Sequence, residues 1–119
     1  MARLAGRLAT GAASVPYQLG TMASLAKELA TEAGEQPVAV GLGVAGLAEA
    51  GGMLRYSPNL PDTVEYPLGS VLGEELGLPV AMGNDATTGA LAEWRLGAGR
   101  GVDDLVFVAL GTGIGAGFV

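Results

Sequence analysis

Half of the 119 residues are hydrophobic and 15% are charged, a balance that supports one domain with a buried core and argues against disorder. Twelve acids (Asp+Glu 12) against six bases (Lys+Arg 6) leave a net charge of −6, which disfavours a nucleic-acid partner. With no cysteine and no histidine there is no disulfide framework, no thiolate metal site and no imidazole base, so any proton transfer falls to a carboxylate.

The opening MARLAGRLATGAAS carries Arg3 and Arg7 and no acid before Glu28, a mild likeness to an organellar transit peptide. A chain that starts partway into a domain explains it as simply, and a soluble cytoplasmic protein is expected. From Tyr17 to Ala33, the residues Met22, Leu25, Ala26, Leu29 and Ala33 fall at helical spacing, closed by Gly34. PVAVGLGV then reads as a buried parallel strand ending in the loop AGLAEAGG. The longest uncharged apolar stretch, Pro37 to Ala48, falls short of the roughly 20 residues a membrane span needs, so no membrane partner is expected.

MLRYSPNLPDTVEYP holds three prolines and no sustained period. It reads as a long ordered connection with a short strand around Leu54 and Tyr56, and as a candidate ligand loop. Leu68, Val71, Leu72 and Leu76 make one face of a second helix, stopped by Gly77 and Pro79. PVAM is a second strand. GNDATTGALAEWRLGAG then places Asn84 or Asp85 at the cap of a third helix, with Ala90, Leu91, Trp94 and Ala98 as its buried face. DDLVFVAL is the last and clearest strand. This alternation predicts one α/β domain of mainly parallel strands with flanking helices.

That strand runs into Gly111-Thr112-Gly113-Ile114-Gly115-Ala116-Gly117. One reading is a tight hairpin, since glycine serves wherever φ is positive. The other is a phosphate loop, in which the Thr112 hydroxyl stands among bare backbone N–H groups. A dinucleotide fingerprint needs a helix next, and apolar residues resume instead. A Walker A loop needs a lysine, and none follows Lys27. What remains is strand, glycine turn, strand, a hairpin able to grip phosphates.

LVFVALGTGIGAGFV resembles the second phosphate-binding loop of the ROK sugar kinases. GNDATTGALAEWRLGAGRGVDDL resembles the segment before it, and VGLGVAGLAEAGGMLRYSPNLP is similar to the family's strand and sugar-side loop. The likeness covers roughly Val38 to Val119 in the family's order. It implies an incomplete lobe of the actin-like ATPase (ribonuclease H-like) fold, residues 1–119 forming part of the N-terminal lobe of a larger kinase. It also implies ATP-dependent phosphorylation of a hexose, with glucose preferred, ATP and Mg2+ as cofactors, and a homo-oligomer when the protein is complete.

On that resemblance Asp85 matches the catalytic base and Asn84 a sugar hydroxyl ligand. Asn59 and Gly46 match further sugar-side positions, and Gly111, Thr112 and Gly113 match the phosphate loop. The chemistry agrees for Asp85: phosphoryl transfer needs an acceptor for the hydroxyl proton, and a helix N-terminus keeps a carboxylate ionised. Helix capping is the competing role for Asp85, and a turn position for Asn59. Trp94 reads as core, Glu93 and Arg95 as a solvated face, and Asp103 with Asp104 as a turn without a magnesium role.

The sequence departs from the family in several places. The first phosphate loop, of type Asp-x-Gly-Gly-Thr, has no counterpart before Tyr17. The family's zinc motif, second sugar-binding glutamate and adenosine pocket would lie past residue 119. Gly83 stands where the family often has Glu, and Ala45 where it often has Pro. An incomplete lobe with little turnover alone, and with apolar surface exposed, is therefore expected. The competing functions are the sugar-sensing domain of a ROK-type transcriptional repressor, a nucleotide-binding dehydrogenase domain, and a domain without ligand.

Overall fold

The computed structural model describes residues 15–60 and 63–119; the opening segment with Arg3 and Arg7 lies outside the described residues. The first helix, α1 (Val15–Ala33), ends where Gly34 adopts φ +66° and donates its N–H to Thr31 O at 3.2 Å. Leu19 and Met22 pack against the core and Ala23 is buried, so this face of the helix turns inward. The valine-rich run gives β1 (Val40–Val44), a shorter strand than its sequence spans, with Val38 left exposed.

The connection after β1 is more ordered than its prolines suggest. It forms β2 (Leu47–Ala48), β3 (Leu54–Tyr56) and β4 (Val64–Tyr66), an antiparallel sheet in the order β2-β3-β4. Leu54 pairs with Tyr66 and Tyr56 with Val64. Arg55 on β3 donates to Glu49 at 2.7 Å and to Glu65 on β4. These two carboxylates, Glu49 first, hold its guanidinium pKa above the ordinary value. Glu65 sits at φ +52°, in the left-handed region that side chains with a Cβ rarely adopt.

The second helix, α2 (Leu68–Leu76), follows its expected face: Leu68 and Leu72 are buried, and Gly77 caps it in the left-handed conformation, its N–H donating to Gly73 O. β5 (Val80–Asn84) pairs in parallel with β1, Val40 opposite Val80 and Val44 opposite Asn84. Among the described residues the parallel pairing is this β1–β5 pair. The other two sheets are antiparallel, because short turns rather than helices join their strands.

The third helix, α3 (Asp85–Leu96), leads to β6 (Val106–Leu110), which folds back on β7 (Ile114–Phe118). Leu110 faces Ile114, leaving residues 111–113 as the turn. The buried face of α3 is Ala86 and Ala90, a correction to the expected set. Leu91 is 47% exposed, Ala98 lies past the helix end and is exposed, and Trp94 is half-buried, its Nε1–H donating to Val102 O at 2.9 Å. The reason is steric. The helix lies so close to the hairpin that its smallest residues face inward and bulky Leu91 is turned aside. Glu93 also departs from a solvated role, its carboxylate accepting from Ala98 N–H at 2.9 Å across the helix end.

Val44, Leu54, Leu60, Leu68 and Met82 form the main core, with Leu19, Met22, Leu42, Ala48 and Tyr66 packed around it. It gathers β1 and β5 from one sheet and β3 from the other under α1 and α2. Complete burial of Leu54, Leu68 and Leu72 contributes about 1.5–3 kcal/mol each by transfer from water.

Candidate functional site

The carboxyl ends of β1 and β5 lie side by side, the place where open parallel sheets bind ligands. Asn84 ends β5 with extended dihedrals, φ −62° and ψ 142°, and caps α3. Its Oδ1 accepts from Ala86 N–H at 3.0 Å and Thr87 N–H at 3.1 Å, two donors the helix itself leaves without partners. Its Nδ2 donates to Gly46 O at 3.1 Å, tying the β1–β2 turn to the helix start.

Gly46 can occupy this turn because it lacks a side chain. It holds φ +116°, and a Cβ there would collide with the carbonyl oxygen of Tyr56 and lie 2.8 Å from Ser57 Cα. Asn59 follows in the turn from Ser57 to Leu60, which is closed by Leu60 N–H donating to Ser57 O at 3.3 Å. Asn59 is exposed, while Ser57 and Thr63 on either side of it are buried. Thr63 Oγ1 is buried without a hydrogen-bond partner in the described structure. Nothing in the sequence marked Ser57 or Thr63 beyond their place in a proline-bounded loop.

Asp85 is the first residue of α3, exposed, with Oδ1 accepting from Ala86 N–H at 2.9 Å. The capping role belongs chiefly to Asn84, which satisfies two N–H groups. Asp85 is thus left with an oxygen free for other work, beside the positive end of the helix dipole.

The glycine segment divides into two halves with different jobs. At Gly111 and Gly113 an added Cβ would meet open space, so crowding is not what places glycine there. Gly111 N–H is used within the turn, donating to Gly113 O at 2.9 Å, which corrects the expectation of a fully bare set of donors. Among the described residues no hydrogen bond engages the N–H of Thr112 or Gly113, and both residues are exposed. In the second half the glycines face α3. A Cβ on Gly115 would lie 3.3 Å from Ala86 Cβ, and one on Gly117 would lie 2.5 Å from Ala86 O and 2.9 Å from Ala90 Cβ. Sequence reasoning missed this half. Its signal was the alternation of glycine at every second position, which puts one bare face of a strand against the small residues of α3.

These contacts set the direction of the hairpin. From Gly117 to Gly115, β7 moves from Ala90 toward Ala86, so the turn and the N-terminus of α3 lie at the same end. Thr112 is three positions before Gly115, at most about 10 Å along the chain. Asn84, Gly46 and Asp85 are brought into one cluster, Ser57 links Asn59 to it, and β7 touches it at Ala86 through Gly115 and Gly117, with the turn at 111–113 beyond them. Two shallow grooves, about 550 Å³ beside Gly52 and Ser70 and about 400 Å³ beside Trp94 and Arg100, contain none of these residues. The candidate site is an open edge.

An anion fits this edge by its donors. Residues 101–119 hold no lysine or arginine in a chain of net charge −6, so the donors this edge offers an anion are the N–H groups of Thr112 and Gly113, the Thr112 hydroxyl and the start of α3. Among the described residues no group of three or more acids is placed to hold a metal ion, so a magnesium ion here would depend on the phosphates it accompanies. Among the described residues, no helix is long and apolar enough to cross a membrane.

Comparison with known proteins adds to this geometry. The ROK family model matches residues 5–119. A glucokinase of Thermotoga maritima is 44% identical over 87 residues, covering 72% of this chain and 27% of the relative. A xylose repressor of Caldicellulosiruptor bescii is 37% identical over 81 residues, covering 67% of this chain and 20% of that protein. The solved structure of a ROK family glucokinase from Streptomyces griseus, in complex with glucose and AMPPNP, superposes with a TM-score of 0.81 at 32% identity, covering 89% of this chain and 33% of that one. The chain therefore spans about a quarter to a third of the length of these kinases. Its architecture is that of the actin-like ATPase fold.

Proposed function

Because the chain belongs to the ROK family, we propose that residues 1–119 are part of the N-terminal lobe of a cytoplasmic, ATP-dependent hexose kinase acting in carbohydrate metabolism, with glucose the preferred substrate. One observation carries the reading: Asn84 takes the cap of α3 and leaves the Asp85 carboxylate exposed at the end of the helix that faces the hairpin turn.

In this mechanism Asp85 accepts the proton of the attacking sugar hydroxyl while that oxygen bonds to the transferred phosphorus and the bond to the departing diphosphate breaks. Asn84 holds Asp85 in place through the cap and has one N–H of its carboxamide left for a sugar hydroxyl. Gly46 and Asn59 border the sugar, Gly46 through the turn it shapes and Asn59 by its exposed amide. The N–H groups of Thr112 and Gly113 stabilise charge on the phosphate, and Gly111 holds the turn closed. ATP with Mg2+, when bound, supplies the phosphoryl group and neutralises part of its charge.

The test is ATP-dependent phosphorylation across several hexoses by the full-length parent protein, beside its Asp85→Asn variant. Turnover on glucose that Asp85→Asn lowers at least about 100-fold while sugar still binds is the expected result. The similarity to a xylose repressor supports a second reading, a sugar-sensing domain. Sugar binding without phosphorylation of any hexose would favour it.

A further inference from the structure

We infer that Gly117, outside the phosphate turn, is a positioning residue that sets the distance between Asp85 and that turn; the inference rests on the kinase reading above. Gly117 is buried and faces the first turn of α3, where a Cβ would stand 2.5 Å from the Ala86 carbonyl oxygen and 2.9 Å from Ala90 Cβ. Ala86 is the residue next to Asp85 and also donates its N–H to both Asn84 and Asp85. One backbone unit of α3 therefore carries the base on one side and rests on β7 on the other. A backbone oxygen cannot rotate out of the way as a side chain does, so a methyl group at 117 must move the helix, the strand or both.

Two further contacts limit how that movement is absorbed. Gly89, on the same side of α3, would bring a Cβ to 2.8 Å from the Phe107 ring on β6, so the helix is already seated on both strands of the hairpin. At its other side Asn84 ties the helix start to Gly46. Displacement at Ala86 thus passes to Asp85, the next residue along, at the end of α3 toward which the turn with the phosphate donors runs. Reaction geometry is sensitive on this scale, a misplacement of about 1 Å costing as much as 100-fold.

The test uses the full-length parent protein with three single variants: Gly117→Ala, the milder Gly115→Ala, whose Cβ would meet Ala86 Cβ at 3.3 Å, and Gly41→Ala, whose Cβ would meet nothing within 4 Å. Rates are expressed per hexose-binding site titrated, so unfolded protein does not count. The expected result is a kcat lowered at least 10-fold in Gly117→Ala and by less in Gly115→Ala, with hexose and ATP KM within about twofold of the parent and Gly41→Ala unchanged. Adding Ala90→Gly to Gly117→Ala removes one of the two contacts and should recover part of the lost kcat. If Gly117→Ala does not fold, the Gly115→Ala result decides. Parent-level kcat, or a raised KM at unchanged kcat, in the variant that folds overturns the inference alone. A parent protein that phosphorylates no hexose overturns the kinase reading, and this inference with it.

Discussion

Asn84 and Asp85 are neighbours with separable duties, and substitution can tell them apart. Asn84 spends its carboxamide on the fold, with Oδ1 on two helix N–H groups and Nδ2 on Gly46 O. Asn84→Ala should destabilise the chain by about 1–2 kcal/mol, the loss of a cap and of its tie to the neighbouring turn. A thermal melt of the 119-residue chain reads this as a fall of several degrees, about 4–8 °C per kcal/mol for domains near this size. Asp85 is exposed, and the cap survives without it. Asp85→Asn should leave stability within about 0.5 kcal/mol of the parent's while lowering turnover of the full-length protein by about 10²- to 10⁴-fold, the range for loss of a general base. Equal melting losses in both variants would assign Asp85 to the cap after all.

Most of the helices and the strands of the parallel pair were legible because their signals are local: apolar residues at helical spacing in α1 and α2, glycine after each of those helices, a valine-rich run at β1 and the short apolar run PVAM at β5. The hairpin was legible too, since glycine between two apolar runs leaves few alternatives. The middle sheet was not, because β2 and β4 are two and three residues long and have no room to show a period. The inward face of α3 was misjudged for a different reason, since Ala86 and Ala90 carry little hydrophobic signal and face inward only because Gly115 and Gly117 let the hairpin approach. Of the site, Asp85 and the glycine turn carried chemical signals of their own. Gly46 did not, since its requirement comes from Tyr56 and Ser57, residues distant in sequence. Gly46→Ala should cost about 1–3 kcal/mol from its positive φ alone, and more from the clash with the Tyr56 carbonyl. Chemical denaturation of the purified chain measures it, and a loss below about 0.5 kcal/mol would mean that the turn relaxes freely.

On the scale of the whole molecule, the hairpin has one covered face and one open face. Its covered face lies on α3 through Phe107, Gly115 and Gly117. On the other, Val106 pairs with Phe118 and Leu110 with Ile114, and these four side chains are 72%, 84%, 79% and 81% exposed. A contiguous apolar surface on a sheet that has two strands among the described residues favours association, whatever the chain's net charge of −6 does to oppose it. Sedimentation velocity of the 119-residue chain should therefore show a weight-average mass that rises with concentration. The double variant Val106→Lys, Phe118→Glu replaces one cross-strand apolar pair with opposite charges that still face each other, so the hairpin keeps its pairing while the patch loses its largest member. It should shift association to markedly higher concentration without lowering the melting temperature. Association unchanged by the double variant would place it at the edges of the β1–β5 pair, where Val38 is also 78% exposed. A chain that stays monomeric before any substitution would mean that charge repulsion outweighs the open face.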